Sequence, residues 1–178
     1  VHSGPEAVRH EFNAEVSWKD LEETYLYAFE EIVKNAEVEG VMGAYNRVNG
    51  EPSCASEFLM GKLDKWGFDG YFVSDCWAIR DFHEHHMVTS SPVESAAMAL
   101  KAGCNVNCGC TYVHLLSALD KGLVTEDDIR ASCVALMRTR IRLGMFDKST
   151  EYDNIPYSVV SCPEHKAVSY ECAVKSMV

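Results

Sequence analysis

The chain has 178 residues, 47% hydrophobic and 24% charged, a composition that excludes disordered and fibrous classes and makes one domain the default. Sixteen basic against 27 acidic side chains leave a formal charge of −11. That field repels the phosphates on which nucleic-acid affinity rests, so no nucleic-acid partner is expected. No run approaches the roughly 18 apolar residues of a membrane span; the longest apolar stretches are strand-sized, as at Val41–Tyr45, so no membrane partner is expected either.

Val1-His2-Ser3-Gly4-Pro5 has no initiator Met, basic region or apolar core of a signal peptide, and reads as the internal start of a longer protein. Several of the eight cysteines, such as Cys133 and Cys172, sit in helical patterns where a free thiol packs as a small hydrophobe. A reducing, cytoplasmic compartment is the expectation.

Ser17 is a candidate N-cap, and Leu21, Tyr25, Ala28, Phe29, Ile32 and Val33 follow at helical spacing up to Ala36. Gly40–Tyr45 is an apolar, strand-length run closed by Asn46–Pro52, whose Asn-Gly and Pro predict a loop. Phe58, Leu59 and Leu63 mark a helix ending before Gly67, and Gly70–Ser74 is a second buried strand that ends at Asp75. A helix over Pro92–Ala102 leads into a third strand at Gly103–Asn107, and a short helix follows near Tyr112–Lys121. Thr125 caps a long helix to about Gly144, the polar stretch Lys148–Pro156 reads as a linker, and Pro163–Met177 is the last helix.

Apolar strands separated by single helices predict a parallel sheet covered on both faces, with the carboxyl ends of its strands on one side. Those ends carry Tyr45 with Asn46, Ser74 with Asp75, and Asn105 with Asn107. A (β/α)₈ barrel gathers its chemistry there, and so does a doubly wound open sheet. Three strands, with a fourth at the very start, make about half of a barrel of some 250 residues.

Val41-Met42-Gly43-Ala44-Tyr45-Asn46-Arg47-Val48-Asn49-Gly50 and Lys65-Trp66-Gly67-Phe68-Asp69-Gly70-Tyr71-Phe72-Val73-Ser74-Asp75 together resemble the signature of glycoside hydrolase family 3. The likeness extends over the whole chain, since Val1–Glu6 resembles the stretch after that family's Lys-His pair and Ala102–Gly109 its next strand end. It implies the C-terminal part of an α/β, (β/α)₈ TIM-type barrel over residues 1–147, truncated on its N-terminal side. Residues 148–178 would then be the linker and first helix leading to a further α/β domain. It also implies a retaining hydrolase that removes terminal β-linked glucose or xylose from an oligosaccharide or β-glycoside. Asp75 matches the nucleophile; Tyr45 and Met42 match residues of the glycone subsite, and Arg9 a sugar-hydroxyl ligand. Cys76 stands where many β-glucosidases of the family have Trp, a variation of its β-xylosidase-like branch; Trp77, one position on, faces the other side if the backbone is still extended there.

Retaining hydrolysis needs one carboxylate to attack the anomeric carbon and a second carboxyl about 5–5.5 Å away to protonate the leaving oxygen. Asp75 supplies the first, and the resemblance places the acid/base beyond Val178. Taken alone, an Asp at a strand end is often an N-cap, an Arg a surface ion-pair partner and a Tyr a core aromatic. His83-Glu84-His85-His86 lacks the spacing of two zinc ligands around a general base, and Cys104, Cys108 and Cys110 have no matching second pair, so neither a metal nor a cofactor is expected. The competing reading is a non-catalytic carbohydrate-binding homologue of the barrel, which need not keep Asp75. A dinucleotide-binding protein would carry a Gly-x-Gly-x-x-Gly turn after a strand, and the chain has none.

Overall fold

The computed structural model describes residues 6–178. They form two compact units, one ending at Arg140 and the other running Ile141–Val178. The strand expected at the very start of the chain lies outside the described residues.

In the first unit, strand β1 (Asn13–Ala14) is followed by the single turn α1 (Trp18–Asp20), a π-helical turn over Leu21–Tyr25, and α2 (Tyr27–Asn35). Ser17 caps α1 by accepting from the Asp20 amide, as its sequence position predicts. The π turn changes the expected face of this helix. Leu26 donates to the Leu21 carbonyl across five residues, so Leu21 and Leu26 both turn inward and are buried. Tyr25, Phe29 and Ile32, which a regular 3.6-residue period would put beside Leu21, are exposed.

Strand β2 (Gly40–Gly43) lies parallel to β5 (Tyr71–Ser74), with Gly40 opposite Tyr71 and Gly43 opposite Ser74. Between them, β3 (Arg47–Val48) and β4 (Glu51–Pro52) form a small hairpin, and β1 pairs parallel to β3. The segment predicted as a loop is therefore a tight turn, with Asn49 and Gly50 both at positive φ, 49° and 92°. Such a turn matches the twist of paired strands, which explains the Asn-Gly dipeptide.

α3 (Glu57–Trp66) starts at Ser56, whose hydroxyl accepts from the Leu59 amide, and ends on Gly67 in the left-handed conformation. After β5 come the one-turn α4 (Asp81–Glu84), then α5 (Pro92–Ala102), which has Pro at its first turn and left-handed Gly103 at its end. The third predicted strand contributes a single parallel bridge, Val73 to Val106. The Asn105 side chain explains why: its Oδ1 accepts the Phe72 amide at 2.8 Å, a bond that a backbone carbonyl would make in a full ladder. A 3₁₀ turn over Thr111–His114, α6 (Leu115–Asp120) and α7 (Glu126–Arg142) follow, Thr125 accepting from the Asp128 amide at the head of α7.

The core gathers around β5, where Cys54, Leu63, Phe72, Ile79, Phe82, Ala99 and Cys104 pack together. Full burial of side chains such as Ile79 and Phe82 is worth about 1.5–3 kcal/mol each. Burial pushes the Cys104 thiol up to about 12, so it acts as a core hydrophobe. Cys133 and Cys172, expected to pack in the same way, are exposed because they fall on outward faces of their helices. The second unit contains the 3₁₀ turns Glu151–Asn154 and Tyr157–Val159 and the helix α8 (Pro163–Lys175). No described helix is long and apolar enough to cross a membrane.

Candidate active site

Asp75 is the first residue beyond β5 and is half-buried. Its amide donates to the Gly43 carbonyl at 2.9 Å, so the carboxylate is tied to the end of β2 as well as to its own strand. Its Oδ1 accepts from the Cys76 amide at 2.6 Å. Buried Ser74 holds the neighbouring loop, its hydroxyl accepting from the Cys108 amide at 3.0 Å. Beyond Asp75 the chain turns instead of remaining extended, with Trp77 left-handed at φ 70° and half-exposed, its amide donating to the Cys108 carbonyl. The sulfurs of Cys76 and Cys108 face each other at 2.6 Å. Hydrogen bonding to Cys76 leads the causes that raise the Cys108 thiol above its ordinary value.

Arg9, Met42, Tyr45 and Asp75 line one open depression of about 590 Å³, together with Glu6 and Asn46 on its polar side and Phe29, Ile32 and Val41 on its apolar side. Tyr45 is raised above the usual phenol value, first by burial, then by the charge and hydrogen bond of Asp75, with Arg9 opposing. The Arg9 guanidinium lies 4.9 Å over the Tyr45 ring and is ion-paired with Glu6. Met42, on β2, is 60% exposed in the floor of the same depression.

Behind this wall is a group that sequence reading missed. His10 packs against Tyr45 with ring centroids 4.5 Å apart, and its Nδ1 is 2.8 Å from Asp81 Oδ2. His85 Nε2 is 3.7 Å from the other Asp81 oxygen. The Asp81 carboxyl is almost fully buried, and burial raises it above the usual carboxylate range against the pull of His10 and His85. The three histidines of His83-Glu84-His85-His86 go to separate places: His83 to Ser95 Oγ at 2.9 Å, His85 to Asp81, and His86 into the interior. Among the described residues no three His, Cys, Asp or Glu side chains converge as ligands of a metal ion.

His86 is 5% exposed, and neither ring nitrogen meets a hydrogen-bond partner among the described residues. Burial, then the charge of Arg47, lowers it from 6.5 to about 4. Between these values the unfolded chain binds the proton that the folded one refuses. Stability is therefore fully present above about pH 6.5 and falls as pH drops towards 4, by at most about 3 kcal/mol. The melting temperature of the protein carrying this chain should fall between pH 7 and pH 4.5 with a slope that His86→Leu reduces; an unchanged slope in the variant would assign the loss to other groups.

The parallel β2–β5 pair thus delivers a carboxylate into an open hollow beside an aromatic and an arginine, the concave, part-apolar setting with a few convergent polar groups that small-molecule sites of α/β domains have. Residues 3–139 match the glycosyl hydrolase family 3 N terminal domain, and the chain belongs to that family. It is 39% identical over its whole length to a xylan 1,4-beta-xylosidase of Xylanibacter ruminicola, and 38% identical over 96% of its length to beta-D-xylosidase 1 of Arabidopsis thaliana. In each case it spans about 22% of the relative's length. Among solved structures it is similar to a family 3 exo-beta-xylosidase in complex with a xylobiose aziridine probe, at 30% identity and a TM-score of 0.86, over 93% of this chain and 22% of the other. A β-glucosidase from Erythrobacter marinus aligns at 25% identity and a TM-score of 0.78, over 90% of this chain and 22% of the other.

Proposed function

We propose that this chain carries the nucleophile of a retaining β-glycosidase, with Asp75 attacking the anomeric carbon of a terminal β-linked sugar. The observation that carries the reading is the placement of Asp75 at the carboxyl end of β5, in the same depression as Tyr45, Arg9 and Met42. In the first step the Asp75 carboxylate forms a bond to the anomeric carbon while the glycosidic oxygen leaves with a proton from an acid residue outside residues 1–178. Water then attacks the glycosyl ester, the same residue now taking the proton, and Asp75 is released. Tyr45, beside Asp75 in the same depression, orients the nucleophile, and Arg9 has donors for sugar hydroxyls.

Xylose is favoured over glucose as the terminal sugar. The support is Cys76, in the position where many β-glucosidases of the family have Trp, together with the xylosidase names of the relatives. Residues 1–147 are read as part of a (β/α)₈ barrel, with 148–178 leading to a further domain. Exposed Tyr25 on the π turn, which lies outside the depression, supports this, because the remaining barrel would cover it. A 2-deoxy-2-fluoro xyloside with a good leaving group, incubated with the full-length protein that carries this chain, should label one peptide. Mass mapping is expected to place the sugar on Asp75; a label on any other carboxylate sinks the assignment.

A further inference from the structure

We infer that His10, locked by Asp81, is a positioning residue that holds the Arg9 guanidinium over Tyr45. The inference rests on the reading of Arg9 as a sugar ligand and adds what aims it.

The argument starts from donor and acceptor roles. Arg9 Nε lies 3.2 Å from His10 Nε2, and a guanidinium nitrogen can only donate. His10 Nε2 must therefore be the unprotonated nitrogen, which puts the proton of the neutral ring on Nδ1. That nitrogen is 2.8 Å from Asp81 Oδ2, an acceptor in the right place for it. The buried carboxylate thus selects the tautomer that presents a lone pair to Arg9. The opposite tautomer would set an N–H against an N–H and leave Asp81 without its donor.

Packing completes the hold. The Tyr45 ring takes both His10, at 4.5 Å between centroids, and the Arg9 guanidinium, at 4.9 Å, while Glu6 takes another donor of the same fork. Arg9 is 40% exposed in its side chain, and an arginine that free would lose much rotamer entropy in gripping a ligand. Two acceptors and a ring face remove that cost before a sugar arrives, which is the benefit of preorganisation. Asp81 is 71 residues from His10 in the chain and on α4, close behind the loop that carries Asp75. The pair thereby ties Arg9 to α4, which begins six residues beyond Asp75.

The test is a double-mutant cycle on the full-length protein, read as kcat/KM on an aryl β-xyloside with melting temperatures in parallel. His10→Leu keeps bulk beside Tyr45 but removes the acceptor, and should lower kcat/KM about 10- to 100-fold. His10→Gln, whose Oε1 can accept from Arg9, should recover activity to within about threefold of wild type. In an Arg9→Ala background His10→Leu should cost less than about twofold, because the group it positions is already gone. A full cost of His10→Leu in that background, or a Gln variant no better than Leu, overturns the positioning role. An Arg9→Ala variant with unaltered kcat/KM overturns instead the assignment of Arg9 as a ligand, and His10 with it. Should His10→Leu fail to fold, Asp81→Leu, similar in shape but without an acceptor for the His10 Nδ1–H, enters the same cycle with the same expected coupling to Arg9.

Discussion

Asp75→Ala is expected to lower kcat by roughly three to five orders of magnitude while the protein stays folded, as losses of catalytic nucleophiles do. Two other aspartates lie near in sequence, and the structure accounts for both. Asp69 precedes β5 and is ion-paired with Arg138, and Asp81 is buried behind the wall with His10 on it. Neither can take over the attack. The fold should survive because the hydrogen bonds that register the end of β5 run through the backbone: the Asp75 amide to Gly43, and the Ser74 amide to Val106 at 2.9 Å. Azide, a small anion that fits the space of the lost carboxylate, should restore turnover of a substrate with a good leaving group by attacking the anomeric carbon directly. One displacement then replaces two, so the product is an α-glycosyl azide. Near-normal turnover of Asp75→Ala, or a β-configured azide product, would place the nucleophile elsewhere.

Gly70→Ala is expected to have the largest effect on folding of any single methyl added to the sheet. A Cβ at Gly70 would lie 2.0 Å from the Glu39 carbonyl oxygen and 2.7 Å from its carbon, both backbone atoms with no rotamer to escape into. Glu39 accepts the Tyr71 amide at 3.0 Å, the first rung between β2 and β5, so relief of the clash must pry the pair apart where it begins. The cost should reach or exceed the roughly 3 kcal/mol at the upper end of ordinary overpacking. Because Asp75 hangs from the other end of the same pair, activity should fall together with soluble yield. Gly61→Ala is the matched control. It lies within α3 with nothing within 4 Å of its added carbon, and alanine there should stabilise by up to about 1 kcal/mol. Equal melting temperatures for Gly70→Ala and wild type would refute this account of the strand pair.

What the sequence determined by itself was local, or written in a residue type that local geometry demands. Ser17 and Thr125 could be read as caps because their hydroxyls bond an amide three residues on, and Gly67 and Gly103 as helix ends because each needs positive φ. Ser56 and Ser91, not singled out as caps from the sequence, cap α3 and α5 by the same bond. Asp75 at the end of an apolar run needed no more than the strand's own length to be placed. Tertiary structure decided whatever depends on two distant segments meeting. The π turn that moves Tyr25 outward is set by where Leu21 and Leu26 find their core, and helical spacing carries no trace of it. The Asn105 side chain replaces a strand's carbonyl opposite Phe72, a substitution visible only once both backbones are in place. The contact between His10 and Asp81 spans 71 residues, and no periodicity links them. A buried carboxylate must find a donor, but which donor it finds is fixed by how the loop before β1 and the turn of α4 pack, not by either segment alone.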